Sequence, residues 1–242
     1  MINQNNAKNI RPPAVASMFY PVGAAELRKA VQNYLSNAGT EEDVSQLKKE
    51  EFAELRTLIV PHAGYIYSGK IAASAYRLLE QNKNQFKRVL LLGPAHRVLL
   101  EGAAFPEMDA FETPLGEITL DKELIEKILA EFSWISVSDK AHAEEHCLEV
   151  QLPFLQETLG EFKLLPLVVG DAKTELLAAL IQQFSKDHET LIVISTDLSH
   201  FHDYQTAREI DARTANAIEL LEQNRISTED ACGAYPLRGA LL

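Results

Sequence analysis

Short apolar runs alternate along this chain with segments whose apolar residues recur at helical spacing. From Leu58 onward, a run of Val, Ile and Leu is typically followed by a Gly/Pro turn and then by a helical segment. Strands that alternate with helices are typical of a mostly parallel sheet covered by helices on both faces. The pattern therefore predicts an α/β protein. No repeat or linker composition interrupts it, which favours a single domain over residues 1–242.

The same pattern predicts the positions of the elements. Strands are expected at Leu58–Val60, Val89–Leu92, Lys163–Val169 and Thr190–Ser195, with peripheral β pieces at Val98–Phe105 and Glu117–Leu120. Helices are expected at Ala24–Leu35, Lys70–Glu80, Asp121–Phe132 with Asp121 as N-cap, Ala143–Leu159 with an interruption near Pro153, Thr174–Phe184 and Tyr204–Gln223. Residues 1–10 are expected to be disordered, Arg11–Pro21 to be extended because of its prolines, and Gly39–Glu54 to be a loop or a surface helix.

Three of the seven histidines lie just past the end of an apolar strand. His62 follows the first strand, His96 the second and His200 the last. The carboxyl ends of the strands in an open α/β sheet form a shared rim, and ligands bind in the crevice outside it. These histidines can therefore meet in space, which suggests a metal site or an acid/base site.

Two neutral imidazoles and one anionic ligand would hold Fe(II), Zn(II) or copper and leave positions open for a substrate. The alternative for His62 and for His96 is a ring that caps a strand end through a hydrogen bond. Asp197, three residues before His200, would orient that ring and fix its tautomer, or it would cap the next helix. Cys232 is, on its own, more often a small buried hydrophobe than a ligand.

The segment His142-Ala143-Glu144-Glu145-His146 matches the pattern of inverted zinc peptidases. Histidines four apart on a helix face the same way and could share a zinc ion, with Glu145 as the base. This alternative needs a third ligand on a later helix and leaves the strand-end histidines unexplained. Cys147 is expected to point into the core.

The chain carries 23 basic and 35 acidic side chains, and its formal charge is −12. This charge argues against nucleic acids and anionic membrane surfaces as partners. Two cysteines are too few for a disulfide framework, and the first nine residues do not resemble a signal peptide. A reducing cytoplasm is the expected location.

A set of short motifs, in order from residue 11 to the chain end, is similar to those of the Memo family. Prokaryotic members of this family are called AmmeMemoRadiSam system protein B. The matching segments are Arg11–Ala16 with Phe19–Pro21, Pro61–Tyr65 with Tyr67–Gly69, Gly93–His96, Glu145–Glu149 with Leu152–Pro153, Ser195–His200, and Cys232–Gly233 with Tyr235–Pro236.

The resemblance implies a fold similar to class III extradiol ring-cleaving dioxygenases, which use non-haem Fe(II). It implies one transition-metal ion, with iron as the first expectation and copper or zinc as alternatives, held by His62, His96 and Cys232. It places His200 as the acid/base group beside Asp197. Tyr65, Glu145 and His146 would line the same cleft.

For function, the resemblance implies a dioxygenase-like redox enzyme acting on an unidentified small molecule or peptide. The alternative is a non-catalytic module that binds a peptide or a metal in the same cleft. The family name also implies functional association with radical-SAM and AMMECR-like proteins.

Two features depart from the expected pattern. A thiolate from Cys232 would replace the carboxylate that completes the dioxygenase triad, and a soft sulfur ligand favours Cu(I), Zn(II) or thiolate-bound iron. The sequence also stops at Leu242 within what reads as a helix, so a C-terminal strand is expected to be absent.

Overall fold

Two sheets organise the described part of the chain, which in this computed structural model is residues 8–39, 55–82 and 85–242. In chain order the strands are β1 (Ile10–Arg11), β2 (Thr57–Val60), β3 (Arg88–Pro94), β4 (Ala103–Phe105), β5 (Ala110–Thr113), β6 (Gly116–Thr119), β7 (Ile135–Val137), β8 (Lys163–Val169) and β9 (Thr190–Ser195). The larger sheet has the order β2-β9-β3-β8-β4-β7, and the smaller one has the order β1-β5-β6.

The first four strands in this order, β2, β9, β3 and β8, are parallel, as the sequence predicts. Leu91 in β3 and Val193 in β9 are paired and fully buried. Strands buried on both faces read as continuous apolar runs, which is the pattern that these segments show. The fourth and fifth strands of the sheet, β8 and β4, pair in antiparallel fashion. The α/β fold with a mostly parallel sheet is thus confirmed.

The helices flank this sheet. They are α1 (Ala24–Ser36), α2 (Tyr65–Tyr76), α3 (Lys122–Glu131), α4 (Asp139–Ala143), α5 (Leu152–Leu159), α6 (Thr174–Phe184), α7 (Tyr204–Glu219) and α8 (Ala234–Leu241). Shorter 3₁₀ turns lie at Arg77–Asn82, Glu149–Gln151 and Gln223–Arg225. No helix in the described ranges is both long enough and apolar enough to cross a membrane.

The predicted helix Ala143–Leu159 is confirmed over Leu152–Leu159 and wrong over the residues before it. The chain instead leaves α4 at Ala143, passes through a turn and a 3₁₀ segment, and starts α5 at Leu152. Pro153 lies in the first turn of α5, where its missing N–H costs nothing, so it helps to begin a helix and does not interrupt one.

Other boundaries also differ from the prediction. The second helix begins at Tyr65, five residues before the predicted start, and its last part is the 3₁₀ turn. Asp121 precedes α3 without a side-chain capping bond, because its carboxylate instead accepts from Arg88 Nε at 2.9 Å.

At the amino terminus, Ile10 is paired in β1, so the predicted disorder of residues 1–10 is wrong there. Residues 1–7, and residues 40–54 of the predicted loop or surface helix, lie outside the described ranges.

A buried ion pair anchors the amino-terminal segment to the turn before α5. Arg11 Nη1 lies 2.5 Å from Glu149 Oε2, and both side chains are fully buried. The Glu149 carboxylate also accepts from the N–H groups of Ala14 and Val15 and from the Tyr20 hydroxyl. Because these donors surround the carboxylate, its desolvation is compensated at every oxygen.

We expect Glu149→Gln to lower the free energy of unfolding by about 3–5 kcal/mol, because it leaves the buried Arg11 guanidinium without its counter-charge. Urea denaturation followed by circular dichroism measures the change. Glu222→Gln, which breaks the exposed pair with Arg225, is the control and should change the value by less than about 1 kcal/mol. Equal losses in the two variants would contradict the structural role of Glu149.

Candidate metal centre

Three neighbouring parallel strands end at one rim, and each places a polar side chain two residues beyond its last residue. His62 follows β2, Asp197 follows β9 and His96 follows β3. Since β9 lies between β2 and β3, Asp197 follows the strand between those of the two histidines. The predicted convergence of the strand ends is therefore present.

Cys232 reaches this rim from the loop before α8. Its backbone N–H donates to Asp197 O at 3.2 Å, and the next N–H, from Gly233, donates to Thr196 Oγ1 at 2.8 Å. These bonds dock the loop onto the end of β9. They place Cys232 Sγ 3.3 Å from His62 Nε2.

Ligand atoms of His62, His96 and Cys232 all lie within 4.8 Å of one another. The imidazole rings of the two histidines are edge to face, with centroids 5.2 Å apart. Two imidazole nitrogens and one sulfur at this separation are a donor set that suits Zn(II), copper or iron. The residues therefore fit the transition metal that the sequence resemblance implies.

The His62 ring is held from behind. Its Nδ1 lies 2.9 Å from Ser195 Oγ, and its backbone N–H donates to Asp197 Oδ1 at 2.6 Å. With Nδ1 occupied, Nε2 is the nitrogen that faces the cysteine sulfur. A partner on one ring nitrogen commonly orients a metal-binding histidine.

Glu145 holds the second histidine. Its carboxylate accepts from the His96 backbone N–H at 2.6 Å and contacts His96 Nδ1 at 2.9 Å. It also accepts from the N–H groups of His146 and Cys147, which closes the turn after α4. Burial would raise the pKa of the Glu145 carboxyl, but its bonds to His96 and to these backbone groups lower it to about 2.

Opposite charges face each other across the centre. Burial would lower the pKa of His96, but its hydrogen bonds with Cys232 and Glu145 raise it to about 9. Burial would likewise raise the pKa of the Cys232 thiol, whereas hydrogen bonds with His62 and His96 lower it to about 6. At neutral pH the metal-free site therefore holds a thiolate beside an imidazolium, and the ligand sulfur is already deprotonated.

Asp197 links the centre to His200. Its Oδ2 lies 3.9 Å from His62 Nε2 and 3.7 Å from His200 Nε2. The His200 side chain is 40% exposed, so it contacts solvent as well as the aspartate. This position suits exchange of a proton between the rim and water.

Of the residues predicted to line the cleft, His146 stacks on His96 with centroids 4.8 Å apart and lies 4.9 Å from the Phe19 ring. Burial lowers the pKa of His146 to about 4, so its ring is neutral at pH 7. Tyr65 is buried, and its hydroxyl donates to Val150 O at 2.9 Å.

His142 does not join the centre. It is buried, its Nε2 lies 2.9 Å from Ala104 O, and its Nδ1 has no hydrogen-bond partner in the described part of the chain. Because α4 ends at Ala143, His142 and His146 do not share a continuous helix, and the helical premise of the zinc-peptidase alternative is wrong. Cys147 lies in the core, as predicted.

Two residues of the site were missed by the sequence reasoning. Ser195 contacts the His62 ring, and Gln151 donates to Ser195 Oγ at 2.8 Å. A lone amide side chain inside the apolar segment Val150–Phe154 is the signal that could have indicated Gln151.

Comparisons with known proteins show which proteins this chain is similar to. A family model described as "Memo-like protein" matches residues 11–233. The chain is 37% identical over 225 residues to a MEMO1 family protein of Aquifex aeolicus, covering 91% of this chain and 77% of the relative. It is 34% identical over 248 residues to one of Methanobrevibacter smithii (96% and 86%), and 32% identical over 248 residues to one of Sulfolobus acidocaldarius (96% and 87%).

We expect iodoacetamide to alkylate Cys232 in the metal-free folded protein with a rate that rises to half its plateau near pH 6, because the thiolate is the nucleophile. Cys147 should stay unmodified until the protein unfolds, since burial raises the pKa of its thiol. Peptide mass spectrometry after timed quenching measures both. A midpoint near the ordinary cysteine value of about 8.5 would contradict the thiolate–imidazolium arrangement.

Burial lowers the pKa of His142 to about 4 in the folded state, against about 6.5 in the unfolded chain. Below pH 6.5 His142 is protonated in the unfolded chain but stays neutral in the folded protein until the pH approaches 4. The free energy of unfolding should therefore fall on acidification. We expect His142 to contribute about 2 kcal/mol to this loss by pH 5, and His142→Gln to reduce the loss by that amount. Urea denaturation at pH 7 and pH 5 tests this, with exposed His202→Gln as the control. Identical pH dependence in wild type and His142→Gln would refute it.

Proposed function

The chain belongs to the Memo family, and we propose that it binds one transition-metal ion through His62, His96 and Cys232. The observation that carries the proposal is the convergence of their ligand atoms within 4.8 Å. Each histidine has its Nδ1 held by another residue, and the sulfur is deprotonated at neutral pH. The two oriented rings and the deprotonated sulfur together make this point on the rim suitable for a cation.

A bound ion would supply Lewis-acid or one-electron redox chemistry at this point. A thiolate ligand is softer than a carboxylate, which favours copper, zinc or thiolate-bound iron over a purely oxygen-ligated metal. Iron is the first expectation, since the proposed fold relation is to the non-haem iron dioxygenases.

We propose that His200 moves the proton in any reaction at this site. It is the histidine of the rim that is exposed to solvent and does not belong to the ligand set. Asp197 lies 3.7 Å away and would orient the ring. His146, neutral and stacked on His96, would line the cleft and exclude water from one side of the ligand set.

The second candidate is a non-catalytic module that uses the same cleft. Large apolar side chains are exposed near the rim: Ile66 and Tyr67 at the start of α2, Leu99 after β3 and Phe201 after β9. Exposed apolar groups around a polar centre also suit the binding of a peptide or another extended ligand. The enzyme and the non-catalytic module would use the same cleft, and only the enzyme would turn over a substrate.

We expect protein purified without chelator to hold about one equivalent of transition metal, and Cys232→Ser or His96→Ala to lose it, because each removes one of three ligands. Inductively coupled plasma mass spectrometry measures metal per chain. His142→Gln is the matched control and should retain the metal, since His142 contacts Ala104 and lies outside the ligand set. Equal metal content in all variants would refute the site.

Oxygen uptake with catechols then separates the two candidates. Turnover by wild type that His200→Ala abolishes, at unchanged metal content, would support the enzyme. Stoichiometric metal without turnover would favour the binding module.

A further inference from the structure

A buried hydrogen-bond chain reaches His62 from the carboxyl end of helix α2. It runs from Tyr76 through Gln151 and Ser195 to His62 Nδ1. We propose that Tyr76, Gln151 and Ser195 are positioning residues that keep a proton on His62 Nδ1 and thereby present Nε2 to the metal. This proposal deepens the proposed metal-binding function and rests on it for its effect on affinity.

The donor and acceptor of each hydrogen bond in this chain can be assigned, because backbone carbonyl oxygens beside it can only accept. Gln151 Nε2 lies 2.8 Å from Pro61 O, a backbone carbonyl. An amide oxygen at that position would face another acceptor, so the NH₂ group must occupy it. The Gln151 amide therefore donates to Pro61 O and to Ser195 Oγ, and its Oε1 is left to accept from the Tyr76 hydroxyl at 2.9 Å.

The hydrogen bonds of Ser195 determine whether His62 Nδ1 donates or accepts. Its hydroxyl has one proton, and Cys147 O, 2.7 Å away, can only accept, so the proton lies on that bond. The remaining lone pairs of Ser195 Oγ accept from Gln151 Nε2 and from the ring of His62. His62 Nδ1 must consequently be a donor.

The other tautomer of His62 would oppose its Nδ1 lone pair to a lone pair of Ser195. Tyr76, Gln151 and Ser195 are fully buried and His62 is 1% exposed, so solvent does not relieve such a mismatch. A buried polar group left without a partner is unfavourable, so the tautomer with the proton on Nδ1 is preferred by roughly tenfold. Nε2 faces Cys232 Sγ in either tautomer. The buried chain keeps a proton on Nδ1, so Nε2 is the nitrogen that can bind a metal once any proton that it shares with the Cys232 sulfur has left.

The two histidine ligands are thus held by different means. His96 Nδ1 is paired with the ionised Glu145, whereas His62 Nδ1 is paired with neutral groups. A second carboxylate behind His62 would add a buried negative charge, and the neutral chain orients the ring without that cost. The Tyr76–Gln151–Ser195 chain is therefore a charge-free counterpart of Glu145.

The test uses the full chain, stripped of metal, and two measurements. The first is a long-range ¹⁵N–¹H NMR correlation of the histidine rings, which reports which ring nitrogen carries the proton. The second is titration with Co²⁺ alone, followed by the sulfur-to-cobalt charge-transfer absorption. The variants are Ser195→Ala and Tyr76→Phe. The control is Thr158→Val, which removes a buried hydroxyl bonded to Phe154 O, outside this chain of bonds.

We expect a protected His62 Nδ1–H in wild type and in Thr158→Val, and its loss in Ser195→Ala. Co²⁺ affinity should fall by about 10–100-fold in Ser195→Ala, as when other partners of metal-binding histidines are removed. Tyr76→Phe keeps the ring that stacks on Phe154 and should shift affinity in the same direction by a smaller factor. It also tests the chain if Ser195→Ala fails to fold.

An unprotonated His62 Nδ1 in wild type, or variants that match Thr158→Val in both measurements, would overturn the proposal. A wild type that shows the protected Nδ1–H but does not bind Co²⁺ would contradict the metal function and the affinity effect, while supporting the orienting role. The two failures are therefore distinguishable.

Discussion

The position of β9 between β2 and β3 is the constraint on which the metal centre depends. Val60 at the end of β2 pairs with Ser195 at the end of β9, so the strands stop level with one another. The polar residues that follow them leave the sheet at the same height and on neighbouring lines. A further strand between β2 and β3 would move the two histidines about 5 Å farther apart, and a β9 at the sheet edge would no longer place Asp197 on the strand between theirs. The order of the strands in the sheet therefore determines which side chains can meet at the rim.

Two buried carboxylates in one turn connect this rim to the rest of the fold. Glu145 ties the turn to His96, and Glu149, four residues later, ties it to Arg11 and the amino-terminal segment. The second connection also brings Phe19 against His146, so the amino-terminal segment forms one wall of the cleft. A buried charge persists only when its hydrogen-bonding capacity is met, and both carboxylates have several donors. The stability of the turn and the geometry of the site therefore share the same residues.

The sequence predicts the strands and helices whose apolar pattern extends over several residues. It does not predict the short strands and turns that individual side-chain contacts determine. Strands β2, β3, β8 and β9 are continuous apolar runs, and their shared rim follows from α/β topology, so His62 and His96 could be placed before any coordinates. Strands β1, β5 and β7 have two to four residues, too few to show a period. The turn after α4 was read as helix because its carboxylate contacts lie outside local sequence pattern. Cys232 was assigned by family resemblance alone, since its residue type favours a core position.

Close approach at Gly233 explains why Cys232 could not be placed from its local sequence. A Cβ on Gly233 would lie 2.6 Å from Thr196 Cβ and 2.9 Å from Ser195 O, so only glycine allows the loop to touch the end of β9. Once docked, the loop places Cys232 Sγ 3.3 Å from the Asp197 N–H, which adds a donor to the sulfur. The low pKa of Cys232 thus arises partly from a glycine that carries no charge, because that glycine brings the thiol to donors fixed by the sheet. Backbone packing therefore favours the thiolate form of Cys232 even without a bound metal ion.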